Sequence, residues 1–405
     1  MGRTSKLLNV CVIVVASLFL LCPEKSAMAK KEQPIPLGLC TWTEGPALRD
    51  GRAFTRAFKT GIKYVNEHGG ILGGRQIVGF IESQGMTGET AKGAAMKLVM
   101  KENVKALIGP HWAITIPAGY AVAKKYNLPY SPDYGALWLH RQNYPGTFCL
   151  SANVGSRTFG QMRWMEKKGY KNVVLIFSNI TYNHDVENAI KSKWGKSDSP
   201  VKINPIIWYN FGQTELTKEA IKALSYNPDF IWSEGWSASA EVALMKTLRE
   251  QGYKGDLSVT AVLNKEIMDM VPKEVSEGVF SNMEFCPDPS IPANKEFCDY
   301  WQKEWGPGEL PYRGESTIWA QVVFLLKAMD KAGTAGDGTK DGLMKIHDAI
   351  YDLQWRHPGG EVIHMKNGKG MYFKNPMVVI KDGKLTVSEY MPTTEKDWQW
   401  DPHKK

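Results

Sequence analysis

Side chains spaced for bond-making chemistry are scarce in this 405-residue sequence. Its eight histidines are scattered, none at a spacing that would let two rings grip one metal ion. There is no Gly-x-Ser-x-Gly elbow to present a nucleophile, no His-Glu-x-x-His pair, no Gly-x-x-x-x-Gly-Lys-Ser/Thr phosphate loop and no Gly-x-Gly-x-x-Gly after a strand. The adjacent histidine and acid His184-Asp185 open an expected helix, where the carboxylate more simply meets free backbone amides than orients an imidazole. Cys40, Cys149, Cys286 and Cys298 form no Cys-x-x-Cys, which argues against a zinc ribbon or thiol exchange. What remains is recognition rather than catalysis, with tryptophans and tyrosines in loops to supply flat faces and no cofactor or metal expected.

The first 29 residues read as an export signal: Arg3 and Lys6 precede an almost wholly apolar run from Leu7 to Leu21, and Ala27-Met28-Ala29 offers small residues to a signal peptidase. Cleavage is expected after Ala29. The run is short for a membrane span, and Leu21 is too bulky to precede a lipidated Cys22, so the mature chain is expected in the periplasm as a soluble protein. Loss of Arg3, Lys6, Lys25 and Glu24 takes 50 basic and 42 acidic residues to 47 and 41, a net charge of +6 with no basic stripe for nucleic acid. The remaining 376 residues exceed what one core usually supports, so two domains are expected. Export permits disulfides. Cys286 and Cys298 flank the turn Cys286-Pro287-Asp288-Pro289 and are read either as a local staple or as free buried thiols.

Short β-rich runs alternate with helical patterns. Ile77–Ile81 reads as a strand, Thr90–Glu102 as a helix, Val104–Ile108 as a strand, Ile116–Lys125 as a helix and Leu128–Ser131 as a strand. The rhythm restarts with strands at Val173–Phe177, Ile203–Trp208, Phe230–Trp232 and Leu257–Ala261. Such alternation implies parallel sheets with helices on both faces and ligand sites at the carboxyl ends of strands. Ahead of them, Phe54, Phe58, Ile62 and Val65 form one helical stripe that Gly69-Gly70 ends. Ser316–Met329 reads as a core helix, and Met377–Ile380, Asp382-Gly383 and Leu385–Val387 as a terminal hairpin.

The stretch from Gly45-Pro46 through Asn66-x-x-Gly69-Gly70-Ile71-x-Gly73 resembles the opening of the type I periplasmic binding proteins of branched-chain amino-acid ABC transporters. Further matches follow in order: Gly109-Pro110 after a strand, Leu128-Pro129 to Ser131-Pro132, Tyr182 after the strand ending at Phe177, Asp229-Phe230-Ile231-Trp232, and Glu277-Gly278-Val279. The resemblance spans residues 35 to 392. It implies an α/β fold of two doubly wound parallel-sheet lobes joined by a three-crossing hinge. Lobe one would take residues 34–151 and 282–362, lobe two 152–281 and 363–392, and 393–405 would be a C-terminal tail.

Carried over by position, the resemblance implies a ligand site at Trp42, Arg49 and Asp50, at His111, Trp112, Ala113 and Thr115, at Asp133, Tyr134 and Gly135, and at Tyr182 and Trp236. Backbone amides in the Gly-Pro and Ser-Pro loops would take a ligand carboxylate, and Tyr182 and Trp236 would close over its body from lobe two. Trp138 and His140 are expected in lobe-one packing or at the rim.

Three departures bear on the ligand. The acid that pairs with a ligand ammonium in the amino-acid binders is missing from Thr260-Ala261-Val262-Leu263, a serine is replaced by Ala113, and a threonine by Gly135. An ammonium buried without a partner costs several kcal/mol, so either Asp50 or Asp133 supplies the charge or the ligand has no amine. The resemblance implies a monomeric periplasmic receptor for a small carboxylate, an apolar amino acid or an aromatic or organic acid, that docks on an ABC permease in the inner membrane. A sensory receptor of the same fold and, last, a secreted hydrolase are the competing readings.

Overall fold

The computed structural model describes residues 33–45, 47–133, 139, 141–260 and 271–403. The export signal, Tyr134, Gly135, Trp138, His140 and the Ala261-Val262-Leu263 run lie outside the described residues.

A first sheet is built from β1 (Ile35–Thr41), β2 (Ile77–Ser83), β3 (Leu107–Ile108) and β4 (Tyr130–Ser131), all parallel in the order β2-β1-β3-β4. The strands β1, β2 and β3 each feed a helix: α1 (Leu48–Glu67), α2 (Gly88–Met100) and α3 (Ile116–Lys125). The second sheet takes up the chain after α4 (Val154–Lys168). Its strands are β5 (Asn172–Ser178), β6 (Lys202–Ile203), β7 (Ile207–Tyr209), β8 (Phe230–Glu234), β9 (Asp256–Ser258) and β10 (Val279–Asn282), parallel throughout. Between them run α5 (Thr181–Trp194), α6 (Thr217–Leu224), α7 (Ala238–Glu250) and the single turn α8 (Lys273–Ser276).

The chain then returns to the first core with α9 (Pro292–Trp305), α10 (Arg313–Ala332) and α11 (Lys340–Asp352). A small ribbon, β11 (His364–Lys366) and β12 (Lys369–Met371), precedes β13 (Lys374–Lys381) and β14 (Lys384–Pro392). These last two add antiparallel to β10 and edge the second sheet. The hairpin turns through Asp382 and Gly383, both at positive φ (53° and 69°), the geometry a two-residue connection needs. After it, α12 (Glu395–Gln399) lays Trp398 back into the first core, its indole N–H on Tyr372 O at 2.9 Å.

The helical stripe read from the sequence packs as expected: Phe54, Phe58, Ile62 and Val65 are buried on α1, against β1 and α10. Gly69 and Gly70 end the segment at φ of 99° and 70°. The expected strand Ile203–Trp208 is instead two short strands, because Pro205 has no N–H for the ladder and the pairing with β5 breaks there. Among the described residues no helix is long and apolar enough to cross a membrane. Cys286 and Cys298 are buried free thiols, so the staple between them is not formed; Cys298 Sγ donates instead to Asn294 Oδ1 at 3.4 Å.

One close approach ties β1 to α1. A Cβ on Gly51 would lie 1.7 Å from the carbonyl oxygen of Trp42, so the first turn of α1 reaches the end of β1 only because this position is glycine. Gly51→Ala is therefore expected to lower stability by about 3 kcal/mol through overpacking, read as a shifted urea midpoint at unchanged slope.

Candidate functional site

A cavity of about 590 Å³ opens where the carboxyl ends of the parallel strands of both sheets face each other. From the first sheet come Asp50 and Phe54 on α1, His111 and Trp112 after β3, and Asp133 after β4. From the second come Tyr182 on the first turn of α5, Phe211 after β7, and Trp236 after β8. Trp112 and Phe211 meet edge-on across the mouth, ring centroids 6.0 Å apart.

Trp112 and Trp236 both sit in the left-handed region, at φ of 73° and 54°. Bulky residues rarely adopt it, at a cost of roughly 1–3 kcal/mol each. The two sheets thus each turn one indole toward the cavity at a backbone cost. Trp236 is held by its N–H on Thr260 Oγ1 at 3.1 Å and by Tyr182, whose ring meets it edge-on at 5.0 Å.

Of the residues expected at the site, Arg49, Asp50, His111, Trp112, Ala113, Asp133, Tyr182 and Trp236 line the cavity. Tyr134 and Gly135 fall outside the described residues. Trp42 does not reach the wall: its ring lies behind Trp112 at 4.5 Å and its indole N–H binds Gly85 O at 3.0 Å. Thr115 is likewise buried behind the loop, its hydroxyl turned back on the carbonyl of His111. Tyr182 is helical rather than in a loop.

The backbone donors expected for a carboxylate are partly spent. The His111 N–H donates to Gln84 Oε1 at 2.9 Å, and that of Asp133 to His111 Nδ1 at 3.1 Å. Accepting that bond puts the imidazole proton on Nε2, and complete burial lowers the His111 pKa to about 3, so the ring is neutral. Asp185 does not cap its helix as expected; it faces His403 at 3.6 Å.

The strongest charges in the cavity wall went unread in the sequence. Arg157 on α4 and Arg313 at the start of α10 share the buried carboxylate of Glu284: Arg313 Nε donates to Oε2 at 2.6 Å, and Arg157 Nη1 to Oε1 at 3.4 Å. Arg157 Nη2 also donates to Asn282 O at 2.9 Å, and Arg313 lies 3.6 Å from Asp133. Both guanidiniums lie over the Trp236 ring, 4.9 and 5.5 Å from its centroid. Burial alone would raise the Glu284 carboxyl, but Arg313 and Arg157 hold it below the ordinary value. An acid inside the apolar run Met283-Glu284-Phe285 was a visible signal for Glu284; nothing local marked the arginines.

Glu234, buried at the end of β8, has the opposite fate. Burial raises its carboxyl to about 7 against the pull of Arg157 and the Trp232 N–H, which it accepts at 2.7 Å. Between the ordinary value of 4.5 and about 7 the native state therefore binds more protons than the unfolded chain, and stability falls as pH rises through that window. Glu234→Gln, which keeps an acceptor for Trp232, is expected to flatten that fall and to add on the order of 3 kcal/mol at pH 8, measured by denaturant melts from pH 4 to 8.

The fold has counterparts among known proteins. A structure of a leucine-binding protein from Thermotoga maritima superposes with a TM-score of 0.74 at 18% identity, covering 88% of this chain and 99% of that one. A solute-binding protein of an ABC transporter from R. palustris, in complex with benzoate, gives 0.76 at 16% identity over 89% of this chain and 97% of that one. A branched-chain amino-acid transporter substrate-binding protein from Streptococcus pneumoniae, in complex with isoleucine, gives 0.75 at 17% identity over 89% and 100%. At such identities the likeness is one of fold. The sequence matches no curated protein. The family model described as "Periplasmic binding protein" matches residues 34–383, and the chain accordingly belongs to the periplasmic binding protein family.

Proposed function

We propose that this chain is the periplasmic substrate-binding component of a branched-chain amino-acid-type ABC importer, taking a small carboxylate between two lobes and releasing it unchanged to an inner-membrane permease. The observation that carries the reading is the cavity itself: about 590 Å³, walled by aromatic groups from both sheets, with arginines among its lining. Family membership and the small ligands named for the solved relatives, isoleucine and benzoate, support it.

In this reading the first lobe takes residues 34–151 and 282–362 and the second 152–281 and 363–392. Ile363, Met371, Tyr372 and Trp398 pack in the first core, which supports a last crossing nearer residue 373 and a C-terminal segment that belongs to the body of the protein. Trp112 and Ala113 on one side and Tyr182 and Trp236 on the other supply contacts from both lobes. Neither set alone would enclose a ligand, so binding favours the closed arrangement.

A thermal-shift screen of small carboxylates tests the reading directly, since a ligand at 100 times its dissociation constant adds about 2.7 kcal/mol to the native state. Bound ligand recovered chemically unchanged, with a smaller radius of gyration than the ligand-free protein, is the expected result. Trp236→Ala is expected to weaken the ligand found by about 1–4 kcal/mol in calorimetry while the protein melts cooperatively, because Trp236 stands in a loop. Unfolding of this variant would make Trp236 a core residue.

A further inference from the structure

Donors and acceptors around the cavity are unequally spent. Each guanidinium carries five N–H donors in a fixed fork. Arg157 makes two hydrogen bonds, to Glu284 and Asn282 O, and Arg313 makes one, to Glu284. The Arg313 side chain remains 22% accessible, so its outer nitrogens open to the cavity, whereas Glu284 is 1% accessible behind it.

The acids are committed in the other direction. Glu284 gives one oxygen to each arginine. Asp133 accepts from the Ser151 hydroxyl and lies against Arg313. Glu315 accepts the Tyr312 N–H at the start of α10. Asp50 is the exception: it lies 3.6 Å from Arg49 and, with its side chain 41% accessible, is the lining acid most open to a ligand. A ligand entering this space meets two arginines with unspent N–H donors and, among the acids of the lining, an open carboxylate at Asp50, itself beside Arg49.

Building on the receptor reading, we propose that the ligand's carboxylate is held by Arg157 and Arg313, with Glu284 as their common anchor, and that the ligand carries no α-ammonium group. The ligand class is an amine-free organic acid with an apolar or aromatic body. Fork geometry suits a carboxylate's two oxygens, and the Trp236 ring beneath both guanidiniums keeps their charge in place while withholding water. An α-ammonium in the same pocket would stand close to two guanidiniums, with only Asp50, already beside Arg49, to meet it.

Calorimetry with matched pairs tests this. The pairs are 3-phenylpropionate against phenylalanine and 4-methylpentanoate against leucine, with benzoate and benzamide as a third comparison of charge alone. The amine-free acids are expected to bind at least tenfold tighter than the amino acids, and benzamide at least tenfold more weakly than benzoate. Arg313→Lys, which keeps the charge but loses the fork, should cost at least tenfold. Arg313→Gln combined with Glu284→Gln removes a cation and its buried partner together and should cost at least a hundredfold; if this pair fails to fold, Arg313→Lys decides. Phenylalanine or leucine binding as tightly as its counterpart overturns the proposal, as does a well-folded paired variant within threefold of the parent. Tight leucine binding that collapses in Asp50→Asn overturns it too, and places the ammonium on Asp50. Binding of amino acids only would sink this proposal and leave the receptor reading standing; binding of no small carboxylate at all would remove both.

Discussion

Glu284 lies almost out of reach of water between two guanidiniums, just after the last parallel strand of the second sheet, and this interaction holds the cavity together. An isolated carboxylate so placed would pay several kcal/mol in lost hydration. Here the attraction of two cations and two charge-assisted hydrogen bonds offsets that cost, and the carboxyl stays ionised. The partners come from distant parts of the chain: Arg157 from the helix that enters the second sheet, Arg313 from the helix that re-enters the first core. A single buried carboxylate therefore joins the helix that precedes the second sheet to the helix that packs in the first core. Removing either partner costs more than the bond itself, because it strands a charge.

The strained indole of Trp236 makes sense against that array. A left-handed backbone at a tryptophan persists only when its surroundings over-determine it. At Trp236 they do, through the Thr260 hydroxyl, the Tyr182 edge and two stacked cations. Trp112 is placed by a different logic, against Trp42 at 4.5 Å with its ring turned to the mouth and to Phe211. Trp42 thus acts as a backing for the wall, which is why a residue expected to touch ligand is instead 1% exposed.

Much of the fold was legible because its signals are local. The α1 stripe, the bounds Ile116–Lys125 and the Asp382-Gly383 turn each follow from period or turn chemistry within a few residues. The break in the strand around Pro205 is a local signal too, since a proline has no N–H to give a ladder. In the site, position along the chain identified the loops but not the direction each side chain takes, so Trp42 and Thr115 were assigned to a wall they stand behind. The charged array was out of reach for a different reason. Glu284 meets Arg157 across 127 residues and Arg313 across 29, and no periodicity or motif links such partners.

The shared anchor also shapes how such a protein can drift in evolution. With Glu284 balanced by two arginines, a lineage that loses the Arg157 guanidinium to a neutral side chain keeps a carboxylate with one cation where it had two. If the pocket takes amine-free acids as proposed, one substitution would turn its charge toward ligands that bring an ammonium, while Trp236 would lose one of the two cations stacked on its strained indole. Glu284 would then be the residue selection cannot afford to lose in either lineage, since it serves one as a support for cations and the other as their replacement's partner.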